Sequence, residues 1–353
     1  MATSIREVSQ QWPAAKHCDA LYEVRDEAVG LHAFIALHDH KRGPGYGGIR
    51  RRAFRRAADA VCEVVALAEQ MTLKTAFAGL PAGGAKAVIL DPGGLERAPL
   101  YEAFGRAVEE LGGAYFAGPD VGTSEDELVS LRQTSRYVST AGAKPSASAA
   151  RGVVDACREA LASQGLAVGA GEGPDALVVG VGTVGRLVAS GLHGLGLKLA
   201  VSDLDATREA EVAASFGCER VAPDLALGTA ASLLVPCGVN PLVTAATLER
   251  FAVRVICGAA NHQLAEDHLA HALAERHILY VPDFAANAGA VIEGVIRHTA
   301  PAGTDVEAAV EAALAEVGPR VRRLLEEARS LHMTPLELAL ASVELEPLSR
   351  PCP

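Results

Sequence analysis

Residues 176–203 read Ala176-Leu-Val-Val-Gly180-Val-Gly182-Thr183-Val184-Gly185-Arg-Leu-Val-Ala-Ser-Gly-Leu-His-Gly-Leu-Gly-Leu-Lys-Leu-Ala-Val-Ser-Asp203. A short apolar run suited to a buried strand leads into a complete Gly-x-Gly-x-x-Gly. A helical pattern follows, then a second apolar run ending on an acid. Each glycine has a separate task in such a unit. Gly180 permits the turn, Gly182 lets backbone approach a pyrophosphate, and Gly185 packs helix on strand. Thr183 and Val184 open the helix, whose free amides and positive dipole end favour an anion. Asp203 lies about 20 residues on, where a carboxylate bonds the adenosine ribose hydroxyls and repels a 2′-phosphate. NAD is therefore expected over NADP, with Arg208 nearby as the opposing feature.

Outward from this unit, short apolar runs alternate with helical patterns: 176–181, 184–194, 198–202, 206–216, 232–236, 254–258 and 278–282. Such alternation indicates a parallel sheet covered on both faces. Residues 169–174 read as a loop, and the chain beyond 304 reads as helical. Upstream, 20–24 and 30–37 read as strands, 43–48 as a glycine-rich turn, 57–71 as a helix and 87–90 as a strand. Then come a helix at 100–111, a strand at 115–117 and a helix opened by a Ser124–Glu127 capping box. The Gly/Lys/Pro/Ser stretch at 141–145 marks a boundary. The fold expected is α/β with two domains, residues 1–143 and a doubly wound domain at 144–327.

The chemistry concentrates in Met71-Thr-Leu-Lys74-Thr-Ala-Phe-Ala-Gly-Leu-Pro-Ala-Gly-Gly-Ala-Lys86. Two lysines sit in apolar, glycine-rich surroundings. Lysine is seldom buried without a partner. Once desolvated it can serve as a base near neutral pH. One amine can hold a carboxylate while the other handles protons. The ordinary reading is two solvated loop lysines, against which the close approach allowed by Gly79, Gly83 and Gly84 counts.

Composition narrows the classes. The chain has 353 residues, 50% hydrophobic and 4% aromatic, with 35 glycines and a net charge of −11. That acidity disfavours nucleic acid or an anionic membrane as the main partner. The basic cluster Arg50–Arg52 with Arg55 and Arg56 reads as a solvated helix start. Seven cysteines without paired spacing read as reduced thiols of a cytoplasmic protein. They suggest no zinc site, so no metal is expected. No secretory leader and no apolar run of ~18 residues is seen.

Taken together, Gly43-Pro-Gly-Tyr46-Gly47-Gly48-Ile-Arg50, the run 71–89, Gly118-Pro-Asp120-Val-Gly-Thr123, the fingerprint, Val235-Pro-Cys237, Cys257-Gly-Ala-Ala-Asn261-His-Gln-Leu264 and Asn287-Ala-Gly-Ala-Val-Ile292 resemble the glutamate/leucine/phenylalanine/valine dehydrogenase family. The segments fall in order over most of the chain. The resemblance implies an NAD-dependent, homo-oligomeric L-amino acid dehydrogenase, an oxidoreductase with its substrate cleft between an N-terminal substrate domain and a Rossmann-type domain. It also implies that 328–353 pack back on the first domain. Lys86 resembles the lysine that activates water, Asp120 the acid that exchanges protons with the amino group, and Lys74 the lysine that pairs with the substrate carboxylate. Gly47 and Gly48 resemble backbone beside the substrate. Met71, Tyr46, Gly118, Val291 and Gly294 resemble pocket walls. Arg50, Ser146, Cys237 and Asn261 resemble cofactor contacts.

Tyr46 stands where glutamate-specific relatives carry a lysine, which disfavours glutamate. Gly118 and Gly294 leave room, so a bulky apolar or aromatic amino acid is expected. A leucine or valine enzyme is the alternative, and a non-catalytic NAD-binding sensor the remote one. Departures from the family pattern are Ala85, Ala149, Arg151, His262 and Ala290, which bear on cofactor orientation and substrate range.

Overall fold

The computed structural model describes residues 3–140, 142–166, 175–238 and 241–343. The chain forms two compact units, one of residues 1–143 with 294–301, the other of 144–293 with the described residues from 302 onward. The loop expected at 169–174 lies outside the described residues.

In the first unit the order is β1 (Ser4–Glu7), β2 (Ala20–Asp26), β3 (Leu31–Asp39), β4 (Gly45–Arg52), α1 (Ala57–Phe77), β5 (Gly83–Leu90), α2 (Arg97–Glu110), β6 (Tyr115–Gly118) and α3 (Glu125–Arg132). These strands form one sheet in the order β1-β2-β3-β5-β4-β6. The first three pairings are antiparallel, and β4 runs parallel to both β5 and β6. Strand alternation sorts the side chains into two cores. Val24, Ile35, Ile49, Ala85, Ala87, Ile89 and Ala117 pack with Phe104 and Val108 of α2. Phe34, Ala36 and Val88 pack on the other face with Val61, Val64, Val65 and Ala68 of α1. Each fully buried Val or Ile contributes about 1.5–3 kcal/mol. The expected capping box opens α3, where Ser124 N donates to Glu127 Oε2 at 2.7 Å.

The second unit begins with α4 (Pro145–Ser163), then β7 (Ala176–Val179), α5 (Thr183–Gly194), β8 (Leu199–Ser202), α6 (Ala206–Phe216), β9 (Glu219–Arg220), β10 (Ala231–Pro236), β11 (Val253–Ile256), α7 (Leu269–Glu275), β12 (Leu279–Tyr280), α8 (Asp283–Ala286), α9 (Gly289–Thr299), α10 (Val306–Ala315), α11 (Val317–Leu331) and α12 (Pro335–Ser342). Its sheet is parallel, in the order β12-β11-β10-β7-β8-β9. Counted from β7, this is the 3-2-1-4-5-6 order of a dinucleotide-binding sheet.

Several expectations need correction. The glycine-rich turn at 43–48 is mostly strand: Gly45 to Gly48 are the first half of β4. The basic cluster is not a helix start, since Arg50, Arg51 and Arg52 lie on β4. Residues 328–343, which the resemblance implies on the first domain, group with the second unit. The apolar stripe Val321, Leu324, Leu325, Ala328 runs unbroken along α11, and Arg322 Nε on that helix donates to Glu159 Oε2 of α4 at 2.8 Å. A helix buried by one continuous stripe cannot be divided at 328. Residues 294–301, expected in the second domain, group instead with the first. Cys18, Cys157, Cys218, Cys237 and Cys257 are free thiols, but Cys62 is disulfide-bonded, so the seven cysteines are not all reduced. Among the described residues no helix is long and apolar enough to cross a membrane.

Candidate active site

The site in the first unit is built by glycines on parallel strands. Register pairs Tyr46 with Gly84 of β5 and with Phe116 of β6, and Gly48 with Gly118. Alternation then puts Tyr46, Gly48 and Arg50, Lys86, and Phe116 and Gly118 on one face, the face that α1 covers farther along β3 and β5. A Cβ on Gly47 would lie 1.7 Å from Ala85 O, and one on Gly48 2.4 Å from Pro119 O and 2.9 Å from Asp120 Cβ. Gly48 therefore lets the 119–120 turn seat against the strand, and Gly47 lets β4 lie close to Ala85 of β5. The Tyr115 hydroxyl donates to Gly47 O at 2.9 Å and fixes that backbone.

The turn places Asp120 beside two cations. Lys86 Nζ lies 2.9 Å from Asp120 Oδ2, and Arg50 Nε donates to the same oxygen at 3.0 Å. Arg50 Nη1 also donates to Glu63 Oε1 of α1 at 3.0 Å. Lys86 lies on β5 and is only 7% exposed, so the solvated-loop reading does not hold. Burial alone would push the Asp120 carboxyl up. The Lys86 ammonium, followed by the Arg50 guanidinium, outweighs burial and holds that carboxyl well below the usual carboxylate range. Arg50, expected at the cofactor, is thus engaged by Asp120 and Glu63. The sequence reading passed over Glu63; its one signal is a single acid in the otherwise apolar run 60–68 of α1.

Lys74 sits in the last turn of α1, buried, three residues after Met71 and so on the same helix face. Its helix is anchored from below. His38 Nδ1 lies 3.0 Å from Thr72 Oγ1, and burial lowers the His38 pKa. Gly84 has Thr72 N within 2.1 Å of where its Cβ would be, so α1 rests directly on β5.

An aromatic wall flanks this cluster. Tyr46 stacks on Phe116 with centroids 4.8 Å apart and planes 6° from parallel. Tyr137 meets Phe116 edge-on at 5.4 Å. Burial pushes the Tyr46 phenol up to about 12, so it stays neutral. A Cβ on Gly118 or Gly294 would meet nothing within 4 Å, so both glycines border open space. Phe116 escaped the sequence reading although it lies two residues before Gly118.

In the second unit the fingerprint follows β7, at the point where the sheet reverses direction of growth between β7 and β10. Gly180 has φ +91°, and a Cβ on Gly185 would lie 2.0 Å from Gly180 O. Gly182 is the N-cap of α5, no side chain caps that helix, and a Cβ there would meet nothing within 4 Å. An open glycine before uncapped amides fits a pyrophosphate. Asp203 Oδ2 accepts from Val181 N at 2.7 Å, and Oδ1 from Asp205 N at 2.8 Å; Arg208 Nη1 lies 3.4 Å from both oxygens. Cys237 follows β10 with its Cβ 3.1 Å from where a Gly185 Cβ would be, and burial pushes its thiol up to about 12. Asn261 Oδ1 accepts from Asn287 Nδ2 at 3.1 Å. Ser146 is in the first turn of α4, and Val291 is buried on α9. Among the described residues no group of three His, Cys, Asp or Glu could hold a metal ion.

Similarity to known proteins agrees with this geometry. Residues 19–137 match the family described as Glu/Leu/Phe/Val dehydrogenase, dimerisation domain, and residues 204–299 match Glutamate/Leucine/Phenylalanine/Valine dehydrogenase. A leucine dehydrogenase of Thermoactinomyces intermedius is 33% identical over 285 residues, 78% of this chain and 76% of that protein. A phenylalanine dehydrogenase of Caldalkalibacillus thermarum is 34% identical over 286 residues, 76% of this chain and 75% of that protein. The crystal structure of L-tryptophan dehydrogenase from Nostoc punctiforme superposes with a TM-score of 0.76 at 28% identity, covering 93% of this chain and 95% of that one. The chain belongs to the glutamate/leucine/phenylalanine/valine dehydrogenase family of oxidoreductases.

Proposed function

We propose that the protein is an NAD-dependent L-amino acid dehydrogenase that deaminates a bulky apolar or aromatic amino acid to its 2-oxo acid and ammonia, reversibly. The observation that carries this is the Lys86–Asp120 pair at 2.9 Å beside the Tyr46–Phe116 wall and the open space at Gly118 and Gly294. Lys74 holds the substrate carboxylate, and Gly47 and Gly48 present backbone to it. A fixed carboxylate orients Cα and removes much of the entropic cost of alignment. The Lys86 ammonium gives up its proton once substrate is bound, and the free amine then takes the proton from a water that attacks the imino carbon. Asp120, kept ionised by its two cations, passes protons to and from the amino group. Tyr46, Met71, Gly118 and Gly294 line the side-chain pocket. A neutral phenol at Tyr46 offers no charge for a side-chain carboxylate, which disfavours glutamate.

Gly180, Gly182, Thr183, Val184 and Gly185 would cradle the pyrophosphate, with Asp203 at the ribose and Ser146, Cys237 and Asn261 toward the nicotinamide. When bound, NAD supplies the hydride acceptor. Asp203 favours NAD over NADP, because its carboxylate already compensates Arg208 and leaves little positive charge for a 2′-phosphate. The enzyme works in the cytoplasm as a homo-oligomer, with neither nucleic acid nor membrane as partner. The test is initial-rate NADH formation at alkaline pH with leucine, valine, phenylalanine, tryptophan, tyrosine and glutamate, repeated with NADP. The aromatic substrates are expected to lead. A leucine or valine preference would replace the substrate assignment, and NAD binding without turnover would favour a sensor.

A further inference from the structure

His298 occupies a position that the catalytic cluster does not explain. It lies on α9, within the segment that groups with the first unit, one helical turn beyond Gly294. Its Nδ1 is 2.9 Å from Gly294 O and its Nε2 is 3.0 Å from Val138 O. Both oxygens are backbone carbonyls, which only accept. At least one ring N–H therefore donates to a backbone carbonyl here. The ring sits among aromatic neighbours, its centroid 4.6 Å from that of Phe116 and 5.7 Å from that of Tyr46, with planes tilted 59° and 57°.

The charged and titratable groups around it are few. Tyr46 on β4 has its phenol pushed up to about 12 by burial. Phe116 is the side from β6. From the segment before Val138, Tyr137 touches Phe116 edge-on, and Arg136 lies over Tyr137 at 5.2 Å while paired with Glu109 at 3.0 Å.

From this arrangement we infer that His298 is the positioning residue of the side-chain pocket, holding the Tyr46–Phe116 wall and the Gly294 peptide in place through its ring contacts. It ties three parts together: α9 at Gly294, the segment after β6 at Val138, and the aromatic stack. Gly294 borders the open space expected to receive the substrate side chain, so its peptide orientation sets the depth of that space. His298 touches no reacting atom in this arrangement; its effect falls on how well a large side chain fits.

This inference rests on the dehydrogenase reading, and the experiment separates the two. Wild-type protein, His298→Leu and His298→Gln are compared by NADH formation over the amino acid panel, with unfolding midpoints recorded. Loss of both ring contacts in His298→Leu is expected to raise KM for the best large substrate at least tenfold, with kcat within threefold and KM for NAD unchanged. His298→Gln keeps one donor and is expected to fall between. Values of kcat/KM within twofold of wild type across the panel for His298→Leu would overturn the inference. If wild-type protein turns over none of the amino acids, the dehydrogenase reading fails, yet His298 is still judged by its ring nitrogens. A crystal structure of the wild-type protein is expected to keep both ring nitrogens of His298 within hydrogen-bond distance of Gly294 O and Val138 O. A ring turned away from both carbonyls would overturn the inference, even if the leucine variant does not fold.

Discussion

Replacing Asp120 by asparagine keeps the shape of the side chain and removes its charge. Two cations then lose the carboxylate that lies 2.9 Å and 3.0 Å from them. At an effective dielectric constant of 20, one such contact at 2.9 Å is worth about 6 kcal/mol before desolvation is subtracted. Removing one partner of a buried pair costs about 3–5 kcal/mol in practice. Arg50 keeps Glu63 as a second acceptor, so the stability loss should fall at the lower end. Activity should fall further, by about 10²–10⁴-fold, the range of a positioned proton-transfer group. The acid limb gives a second reading of the same group. Burial pushes the Asp120 carboxyl up, but Lys86 and Arg50 bring it well below its unfolded value of about 3.9. A depressed carboxyl contributes stability that is complete above the unfolded value and is lost as pH falls through the folded one. Wild-type protein should therefore lose stability below about pH 4 more steeply than Asp120→Asn. Urea unfolding from pH 7 to pH 3 and initial rates of NADH formation measure both. An Asp120→Asn enzyme within tenfold of wild-type activity would refute the role given to this carboxylate.

Three further substitutions probe other parts of the account. Gly48→Ala puts a methyl 2.4 Å from Pro119 O and 2.9 Å from Asp120 Cβ, so Asp120 must move; a drop in kcat of at least tenfold is expected, and unchanged kcat would show that the turn yields freely. Gly294→Val fills space where a Cβ meets nothing within 4 Å. It should weaken use of the largest amino acids relative to valine by about 1–3 kcal/mol, read as a shift in relative kcat/KM. His332 ends α11 in the left-handed region at φ 56° and is exposed. His332→Gly should relieve that strain and raise stability by about 0.5–1 kcal/mol in denaturant unfolding; a loss would mean that the imidazole makes a contact worth more than the strain.

The dinucleotide unit was legible almost residue by residue, because Gly180, Gly185 and Asp203 act through local backbone geometry over some twenty positions. Lys74 and Lys86 were legible as types, but not as placed. A glycine-rich stretch reads as loop, whereas Gly83 and Gly84 are strand residues with Asp39 O and Thr72 N where their side chains would be. The same holds for Gly47 and Gly48. Strand pairing of this closeness is a tertiary fact that local propensity does not encode. The partners of Arg50 are hidden for the same reason: Asp120 and Glu63 are 70 and 13 residues away in sequence. In the C-terminal segment, residues 328–331 finish α11 and 335–342 form α12, both grouped with the second unit, a grouping that rests on tertiary contacts the local pattern does not carry. His298 gave no signal beyond standing four residues after Gly294.

The most direct measurement of the central claim pairs turnover with cofactor binding in Lys86→Ala. The fingerprint lies in the second unit and Lys86 in the first, so the substitution leaves the residues assigned to NAD untouched. Calorimetric NAD affinity within threefold of wild type is expected, together with amino-acid-dependent NADH formation reduced at least a thousandfold. NADH formation that survives in Lys86→Ala would contradict the assignment of Lys86 as the base and the mechanism built on it.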